Sequence, residues 1–328
     1  MFNRLLLLLV FLLIPQFAAA QSADLTQYVP GTSKVLIGAN FSELRTSPVY
    51  SEVFAFARAQ PRLAEIMNFM QAELNVSPEK DIQGLVLAFP EAMTTPQVNS
   101  TLSLAMRAPL DSEKVIESAR KRFPDMKVTG EKEAAVYDVG AFKFALPAKD
   151  VFVLGVGSEP FVEATFATIK GPKLSASKNS DVVASMSSID TKKGLWMVGI
   201  TRELPQQGPK MNRAGLTIDL KSGLIFKMVA DMANKKDAEQ AVKDFEGLKV
   251  QASNPMVAMT GAAPLVSNLK ASSKKTSVTV NSSMNSKEFA LMVTQMKNII
   301  AQGSQPMAPA PSPSKPAPSN DGVEADFN

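Results

Sequence analysis

The stretch VLIGAN, residues 35–40, is a short apolar run with glycine at its fourth position, a pattern typical of a buried strand. The stretch WMVGIT, residues 196–201, repeats this pattern. A Glu-Leu pair follows each run closely, at residues 43–44 and 203–204. The two runs therefore predict equivalent strands in two parts of the chain.

Two further features match in the same order along the chain. Residues 111–116 (DSEKVI) and residues 237–242 (DAEQAV) each open a predicted helix, and closing helices are expected near Glu159 and near Ser286. The spacing differs between the two parts, so we expect an insertion of about 35 residues in the first copy. The helical stretch at residues 47–74 is our assignment for that insertion.

Each copy is expected to fold as a strand, a strand pair, a helix, a second strand pair and a closing helix. In the first copy Leu102, Leu104 and Met106 alternate with small or polar residues, which predicts a strand with one face inward. Strand pairs that alternate with single helices place helices on one face of antiparallel sheets. The predicted fold class is therefore α+β, in two tandem copies.

The composition excludes several classes of protein. The chain has 328 residues, no cysteine and no histidine. Disulfides, zinc fingers, iron–sulfur clusters, cysteine nucleophiles and mechanisms with a histidine base are therefore ruled out. The formal net charge of +4 is too small to indicate a nucleic-acid partner.

The first twenty residues have the three-part pattern of a secretory signal peptide. Arg4 precedes an unbroken apolar run at residues 5–14, and Pro15 ends that run. Residues 18–20 are all alanine, which predicts cleavage after Ala20. The apolar run spans about 15 Å as a helix, which is too short for a membrane anchor. We expect a periplasmic or secreted protein with no membrane span after cleavage.

The C-terminal end is rich in proline, alanine and serine, and it closes with an acidic run. Closely spaced prolines favour polyproline II, and little large apolar surface remains to be buried there. We expect a disordered tail, with a spacer or docking strap for an envelope partner as the functional alternative. The predicted organisation is a signal peptide at 1–20, a first copy at 21–172 with its insertion at 47–74, a second copy at 173–301 and a tail at 302–328.

With both copies identified, the chain resembles a group of uncharacterised secreted bacterial proteins. The resemblance rests on the Tyr-Val-Pro opening at residues 28–30 before the strand at 35–40. It rests also on the strand at 102–107, which ends in arginine and leads into the helix at 111–123. It implies a duplicated α+β module outside the cytoplasm, and it carries over no functional residue.

Several patterns that could support chemistry have weak specificity. A Ser-x-x-Lys hydrolase needs no histidine, but the spacing occurs five times, and the accompanying Ser-Asp-Asn and Lys-Thr-Gly elements are missing. The pairs are Ser77–Lys80, Ser175–Lys178, Ser267–Lys270, Ser272–Lys275 and Ser312–Lys315. The turn at residues 155–158 (GVGS) could hold an anion at a helix N-terminus, although Glu159 would repel it. A tight strand-to-helix turn explains it better.

Paired carboxylates could support glycosidase chemistry, and paired methionines could bind copper or line an apolar groove. Glu131 and Glu133 fall in a polar turn, and Glu159 and Glu163 are an i,i+4 pair that is repulsive if both are exposed. Methionines at i+3 or i+4 spacing indicate core packing more often than a copper site or an apolar groove. Those pairs are Met67/Met70, Met228/Met232, Met256/Met259 and Met292/Met296. The basic run at residues 120–122 would splay around a helix and form no single basic face.

These observations assign no catalytic, cofactor-binding or metal-binding residue. The first hypothesis is an exported, non-enzymatic binding or scaffolding protein whose partner is an envelope protein or polymer. The second is a periplasmic carrier of an apolar ligand or peptide in a methionine-lined groove. The third is a Ser-Lys envelope hydrolase.

The export hypothesis predicts the N-terminus of the mature protein. Because the small residues of the leader end at Ala20, protein purified from the exporting cell should begin at Gln21. Intact-mass spectrometry and N-terminal sequencing of the periplasmic fraction measure this directly. A purified protein that still begins at Met1 would contradict the hypothesis.

Overall fold

A computed structural model describes residues 22–59, 61–90, 101–201 and 208–303. The predicted signal peptide and residues 304–328 of the predicted tail lie outside these ranges. The first two tail positions, Gln302 and Gly303, belong instead to the last helix, because that helix continues to Gly303.

The described residues form twelve strands, ten α-helices and five 3₁₀ segments. The strands are β1 (Val35–Asn40), β2 (Gly84–Phe89), β3 (Leu102–Arg107), β4 (Lys127–Thr129), β5 (Val136–Asp138), β6 (Phe142–Ala148), β7 (Val151–Val156), β8 (Leu195–Ile200), β9 (Met211–Asp219), β10 (Gly223–Met232), β11 (Lys270–Lys274) and β12 (Ser277–Asn285). The α-helices are α1 (Phe41–Arg45), α2 (Tyr50–Ala59), α3 (Pro61–Glu73), α4 (Ser112–Arg122), α5 (Glu159–Lys170), α6 (Ser180–Ser187), α7 (Lys235–Gly247), α8 (Pro255–Met259), α9 (Ala263–Ser267) and α10 (Ser286–Gly303). The 3₁₀ segments are Ser22–Tyr28, Lys132–Ala134, Pro172–Leu174, Ala176–Lys178 and Leu248–Ser253.

All of these strands belong to one antiparallel sheet, and the chain is an α+β protein. The strand order is β11-β12-β10-β9-β8-β1-β2-β3-β7-β6-β5-β4. The two stretches that open the sequence analysis, β1 and β8, pair with each other at the centre, with Gly38 opposite Trp196. We call this pairing the seam, because it joins the N-terminal half of the sheet to the C-terminal half.

The two halves follow the same strand order outward from the seam. The first half runs β1-β2-β3-β7-β6, and the second runs β8-β9-β10-β12-β11. A helix follows the third strand in each half, α4 in the first and α7 in the second. A duplicated module requires this shared connectivity, while a common origin of the halves stays a prediction.

The alternation of side chains along the strands defines two faces of the sheet. We call the side that carries Trp196 the front face and the side that carries Ile37 the back face. Helices α1, α3, α4, α7, α9 and α10 contribute to clusters on the back face. The segment Ser22–Tyr28 and helices α5 and α6 contribute to the cluster on the front face.

Helices on one face were predicted for both copies, and this is wrong for both, because α6 packs on the front of the second half while α7 and α10 pack on its back. The first half shows the same arrangement. There α4 packs on the back face through Val115, next to Phe144. Helix α5 packs on the front face, where Phe161, Val162 and Phe166 are buried. The front of the first half is itself apolar. A helix layer on the back face cannot bury these front residues, so a helix must also pack on the front.

The closing helices of the two halves lie on opposite faces. Strand β7 leads into α5 through Gly157 and Ser158, and Gly157 has a φ of +95°. Strand β12 passes directly into α10, where Asn285 Oδ1 accepts the backbone N–H of Glu288 at 3.1 Å. The two-residue turn with its left-handed glycine sends α5 to the front, and the direct passage keeps α10 on the back.

The seam is closed by the chain's one tryptophan. The Trp196 indole lies over Gly38, where a Cβ atom would fall 2.0 Å from Cε2 of the ring, so this strand position requires glycine. The indole N–H donates to Ser22 Oγ at 2.7 Å, and the Ser22 backbone N–H donates to Asn40 Oδ1 at 2.6 Å. Asn40 Nδ2 donates in turn to the backbone oxygen of Lys193 at 3.0 Å. Buried polar groups at the seam are thus hydrogen-bonded in sequence.

The two seam glycines give a matched test of this packing. Gly38→Ala should lower the free energy of unfolding by about 1–3 kcal/mol, because the new methyl group must displace Trp196. Gly199→Ala should be neutral or should stabilise by up to about 1 kcal/mol, because nothing lies within 4 Å of its added Cβ. Urea denaturation followed by Trp196 fluorescence measures both. Equal effects of the two substitutions would contradict the proposed seam packing.

Candidate functional site

In the described ranges, α6 is the last helix on the front of the second half, and we call the strand surface beyond it the open face. It is formed by strands β9, β10, β12 and β11, which are neighbours in the sheet. The cross-strand registers place the following residues on it: Arg213, Asp219, Ile225, Lys227, Val229, Asp231, Ser277, Thr279, Asn281, Ser283, Lys270, Ser272 and Lys274. These residues share the side of the sheet that α5 covers in the first half.

The sequence of β12 produces this surface by strict alternation. Val278, Val280 and Met284 are buried on the back, while Asn281 and Ser283 between them are exposed on the front. An antiparallel sheet with one packed and one solvated face has this pattern. The open face is therefore polar because of its sequence. Polar side chains of this kind are expected to be exposed to solvent.

Three lysines dominate the charge of the open face. Lys227 on β10 and Lys270 on β11 both pair across the sheet with Asn281 of the strand between them. Lys274 lies on the same side further along β11, and all three side chains are exposed. Within the residues that the structure describes, none of the three has an ion-pair partner. This positive charge is therefore not neutralised locally.

The carboxylates of the open face are already paired. Asp219 accepts a hydrogen bond from Lys193 Nζ at 2.8 Å. Asp231 lies 3.2 Å from Arg213 Nη2, and it also accepts from Thr276 Oγ1 at 3.2 Å. The lysines therefore set the net charge that an approaching molecule meets.

A small cavity with a mixed polar and apolar lining borders the open face beneath α6. Its volume is about 170 Å³, whereas pockets for small molecules usually begin near ~300 Å³. Arg213 Nη1 lies 3.4 Å from Asp181 Oδ1 on α6, and its other amino group pairs with Asp231. The guanidinium thus fastens the helix to the sheet, and the cavity is too small for a cofactor. The wall is formed by Ala184, Ser185, Ser188, Arg213, Ala214, Gly215, Val229, Asp231 and Ser277.

The Ser-x-x-Lys pairs form no nucleophile–base arrangement where they are described. The lysines of four pairs are exposed: Lys80, Lys178, Lys270 and Lys275. Ser175 is buried, but its hydroxyl donates to the backbone oxygen of Pro172 at 2.5 Å and lies 2.8 Å from Ser177 Oγ. The pair Ser312–Lys315 lies outside the described residues.

The glycine turn at residues 155–158 serves packing. A Cβ atom on Gly155 would lie 3.2 Å from Val162 and 3.1 Å from Phe166, so the glycine lets α5 approach the sheet. The backbone N–H of Ser158, which could have faced an anion, donates to Thr101 Oγ1 at 2.9 Å. The strand-to-helix turn is therefore the better interpretation.

The carboxylate pair on α5 has a cationic partner that the sequence analysis missed. Lys143 Nζ donates to Glu159 at 2.7 Å and to Glu163 at 2.5 Å, so the two glutamates do not simply repel. These hydrogen bonds raise the pKa of Lys143, and the bond from Lys143 lowers the pKa of Glu163. Glu131 and Glu133 are exposed around the 3₁₀ turn at Lys132–Ala134. Neither pair lies in a cleft with a substrate-sized volume.

The methionine pairs are distributed over four separate elements. Met228 and Met232 lie on strand β10, where every second residue shares a face, rather than on a helix. The others lie on α3 (Met67, Met70), α8 (Met256, Met259) and α10 (Met292, Met296). Met259 is 68% exposed, and no methionine lines the cavity beside α6.

The basic run ends helix α4, and its side chains diverge. Lys121 pairs with Glu117 at 2.7 Å, while the Arg122 guanidinium carbon lies 5.3 Å from the centre of the Phe69 ring. The first contact lies within α4, and the second joins α4 to α3. Within the described part of the chain, no three acidic side chains group closely enough to hold a metal ion. In the same residues, no helix combines the length and apolarity that membrane crossing needs.

The comparisons with known proteins give fold likeness alone. The chain matches no family model and no curated protein sequence. Among solved structures it is similar to crystal form III of TP0453, at 9% identity and a TM-score of 0.45, over 85% of this chain and 99% of that chain. Crystal form I of TP0453 gives 7% identity and a TM-score of 0.44, over 86% of this chain and 100% of that chain. Likeness at this level says nothing about what this chain binds.

The Lys143 cluster predicts a pH-dependent stability. Lys143→Met should lower the free energy of unfolding by about 0.5–1 kcal/mol at pH 7, because it leaves Glu159 and Glu163 unpaired. The pKa of Glu163 is lowered by folding, so this contribution is present at neutral pH and is lost as pH falls through the folded-state pKa. Urea titrations of both proteins at pH 7 and pH 3 measure the difference.

Lys121→Met is the matched control, because it breaks the exposed Glu117 pair on α4. It should change stability less than Lys143→Met does. A Lys143→Met effect that stays constant between the two pH values would contradict the assignment.

Proposed function

We propose that the chain is an exported, non-enzymatic binding protein of the bacterial cell envelope, and that it holds its partner on the open face. The observation that carries this proposal is the difference between the halves of one sheet. The first half is packed on its front by α5, while among the described residues the second half leaves strands β10, β12 and β11 uncovered beyond α6. A broad, ordered and polar surface of this kind suits reversible binding with many hydrogen bonds.

Binding to the face is favoured over strand addition at the edge. Edge strand β11 begins and ends with a lysine, and the N–H of Ala271 between them donates to Glu246 Oε1 at 3.0 Å. Charged side chains and an occupied edge amide are the means by which proteins prevent another strand from pairing. A partner that approaches the second half therefore meets a blocked edge and an accessible face.

The predicted export supports the same proposal, and so does the arrangement of the Ser-x-x-Lys pairs in the described residues. The leader at residues 1–20 supports a place outside the cytoplasm, either periplasmic or secreted. The chain lacks histidine and cysteine, and the described Ser-x-x-Lys lysines are exposed, so acyl-transfer chemistry has no assembled base. A carrier of apolar ligands would need a large apolar cavity, whereas the cavity beside α6 is small and Arg213 and Asp231 form part of its wall.

Site-specific photo-crosslinking tests the proposal. A benzophenone amino acid placed at Asn281, in the middle of the open face, should give a covalent adduct of higher mass in living cells that export the protein. Benzophenone inserts into C–H bonds of proteins and of glycans, so either kind of partner is captured. Gel mobility and mass spectrometry of the purified adduct are the readout.

Leu291 provides the matched control position. It lies on α10, on the back of the same half, and it is 56% exposed. It should give no adduct or a much weaker one. Adducts from Leu291 without adducts from Asn281 would show that the partner binds the back face, which contradicts binding on the open face. The absence of adducts from both positions would contradict a binding role.

A further inference from the structure

The open face has a net positive charge whose distribution can be read from the sheet register. Its two carboxylates, Asp219 and Asp231, are held by Lys193 and Arg213. Lys227, Lys270 and Lys274 have no such partner within the described residues. The charge available to a second molecule is therefore that of the three lysines, and it attracts an anion.

The spacing of the lysines suits an extended anion. Lys227 and Lys270 flank Asn281 across three neighbouring strands, which separates their backbones by about 10 Å. Lys274 lies four residues along β11 from Lys270, about 13 Å away. A compact anion can meet two neighbouring lysines, whereas a chain with repeated negative groups also reaches the third, which lies about 13 Å along β11.

The neutral side chains between the lysines suit sugar hydroxyl groups. Ser272, Thr279, Asn281 and Ser283 present hydroxyl and amide groups on the same side of the sheet. These groups both donate and accept hydrogen bonds, as sugar hydroxyls do. Charge and hydrogen-bonding capacity are thus interleaved over one flat surface.

The same surface lacks the features that other polyanions require. Phe226 points to the back face, and no aromatic side chain lies among the residues of the open face, so unpaired bases have no stacking platform. Ile225, at 44% exposure, is the one large exposed apolar side chain on this face among the described residues. A membrane-binding surface combines lysines with several apolar side chains that enter the lipid.

We infer that the open face binds an anionic polysaccharide, with Lys227, Lys270 and Lys274 as the charge contacts. This inference rests on the proposed function, since it names the partner of the same surface. The lysines neutralise carboxylate, sulfate or phosphate groups along the polymer, and the hydroxyl and amide side chains contact the sugar units between them.

Binding of fluorescently labelled dextran sulfate to the purified mature protein tests the inference. The triple variant Lys227→Glu, Lys270→Glu and Lys274→Glu should bind at least about tenfold more weakly than the wild type. The matched control is Lys114→Glu, Lys127→Glu and Lys149→Glu in the first half, which makes the same change in net charge at exposed positions. The control should keep most of the affinity. Replacement of the three open-face lysines by arginine should also keep it.

Fluorescence of buried Trp196 verifies that each variant is folded before binding is measured. Equal weakening by both Glu triples would overturn the inference, because it would show attraction to net charge without a site. Equal binding of uncharged dextran would also overturn it. The inference would also be overturned if the protein bound vesicles of anionic phospholipid more tightly than dextran sulfate and Ile225→Ser abolished that vesicle binding.

The two proposals fail in different ways. A protein adduct from the Asn281 crosslink, together with no binding of dextran sulfate, overturns the inference of a polysaccharide partner. The proposed binding role then still stands. The absence of adducts from both crosslinking positions overturns the binding role itself.

Discussion

The packing of Trp196 over Gly38 is the contact on which the rest of the sheet depends. It lies where β1 meets β8, the pairing that joins the two halves into one sheet. The indole fills the space that a side chain at position 38 would occupy, and its N–H ties Ser22 to the same point. Because a buried aromatic ring and a buried hydrogen-bond chain are costly to disrupt, the seam fixes how the halves are aligned.

The asymmetry between the halves arises from one short turn. Two residues, Gly157 and Ser158, separate β7 from α5, whereas β12 runs straight into α10. With the left-handed glycine, α5 crosses to the front and covers apolar residues there. The second half has polar residues at its front positions, so α10 stays on the back. The open face thus follows from turn geometry and strand composition together.

Much of the fold was predictable from periodicity, and the reasons for the failures are physical. Strands with alternating apolar residues, such as β3 and β12, were placed correctly because one face is buried. Strand β11 (KASSK) was not located, because an exposed edge strand carries no apolar signal. The face on which α5 packs was missed, because an amphipathic helix shows that it has a buried side without showing which side of a sheet it meets. Lys143 was missed because its partners are distant in sequence.

The seam also affects how the chain folds over time. Val35 pairs with Gly199, so β1 cannot complete its pairing until about three-fifths of the polypeptide is present. Contacts between residues so far apart in sequence close slowly, since the intervening loop must first lose its conformational freedom. The seam therefore stays unformed while the first half is synthesised. The proposed export fits this delay, because secretion machinery that threads a chain through a narrow channel requires unfolded polypeptide.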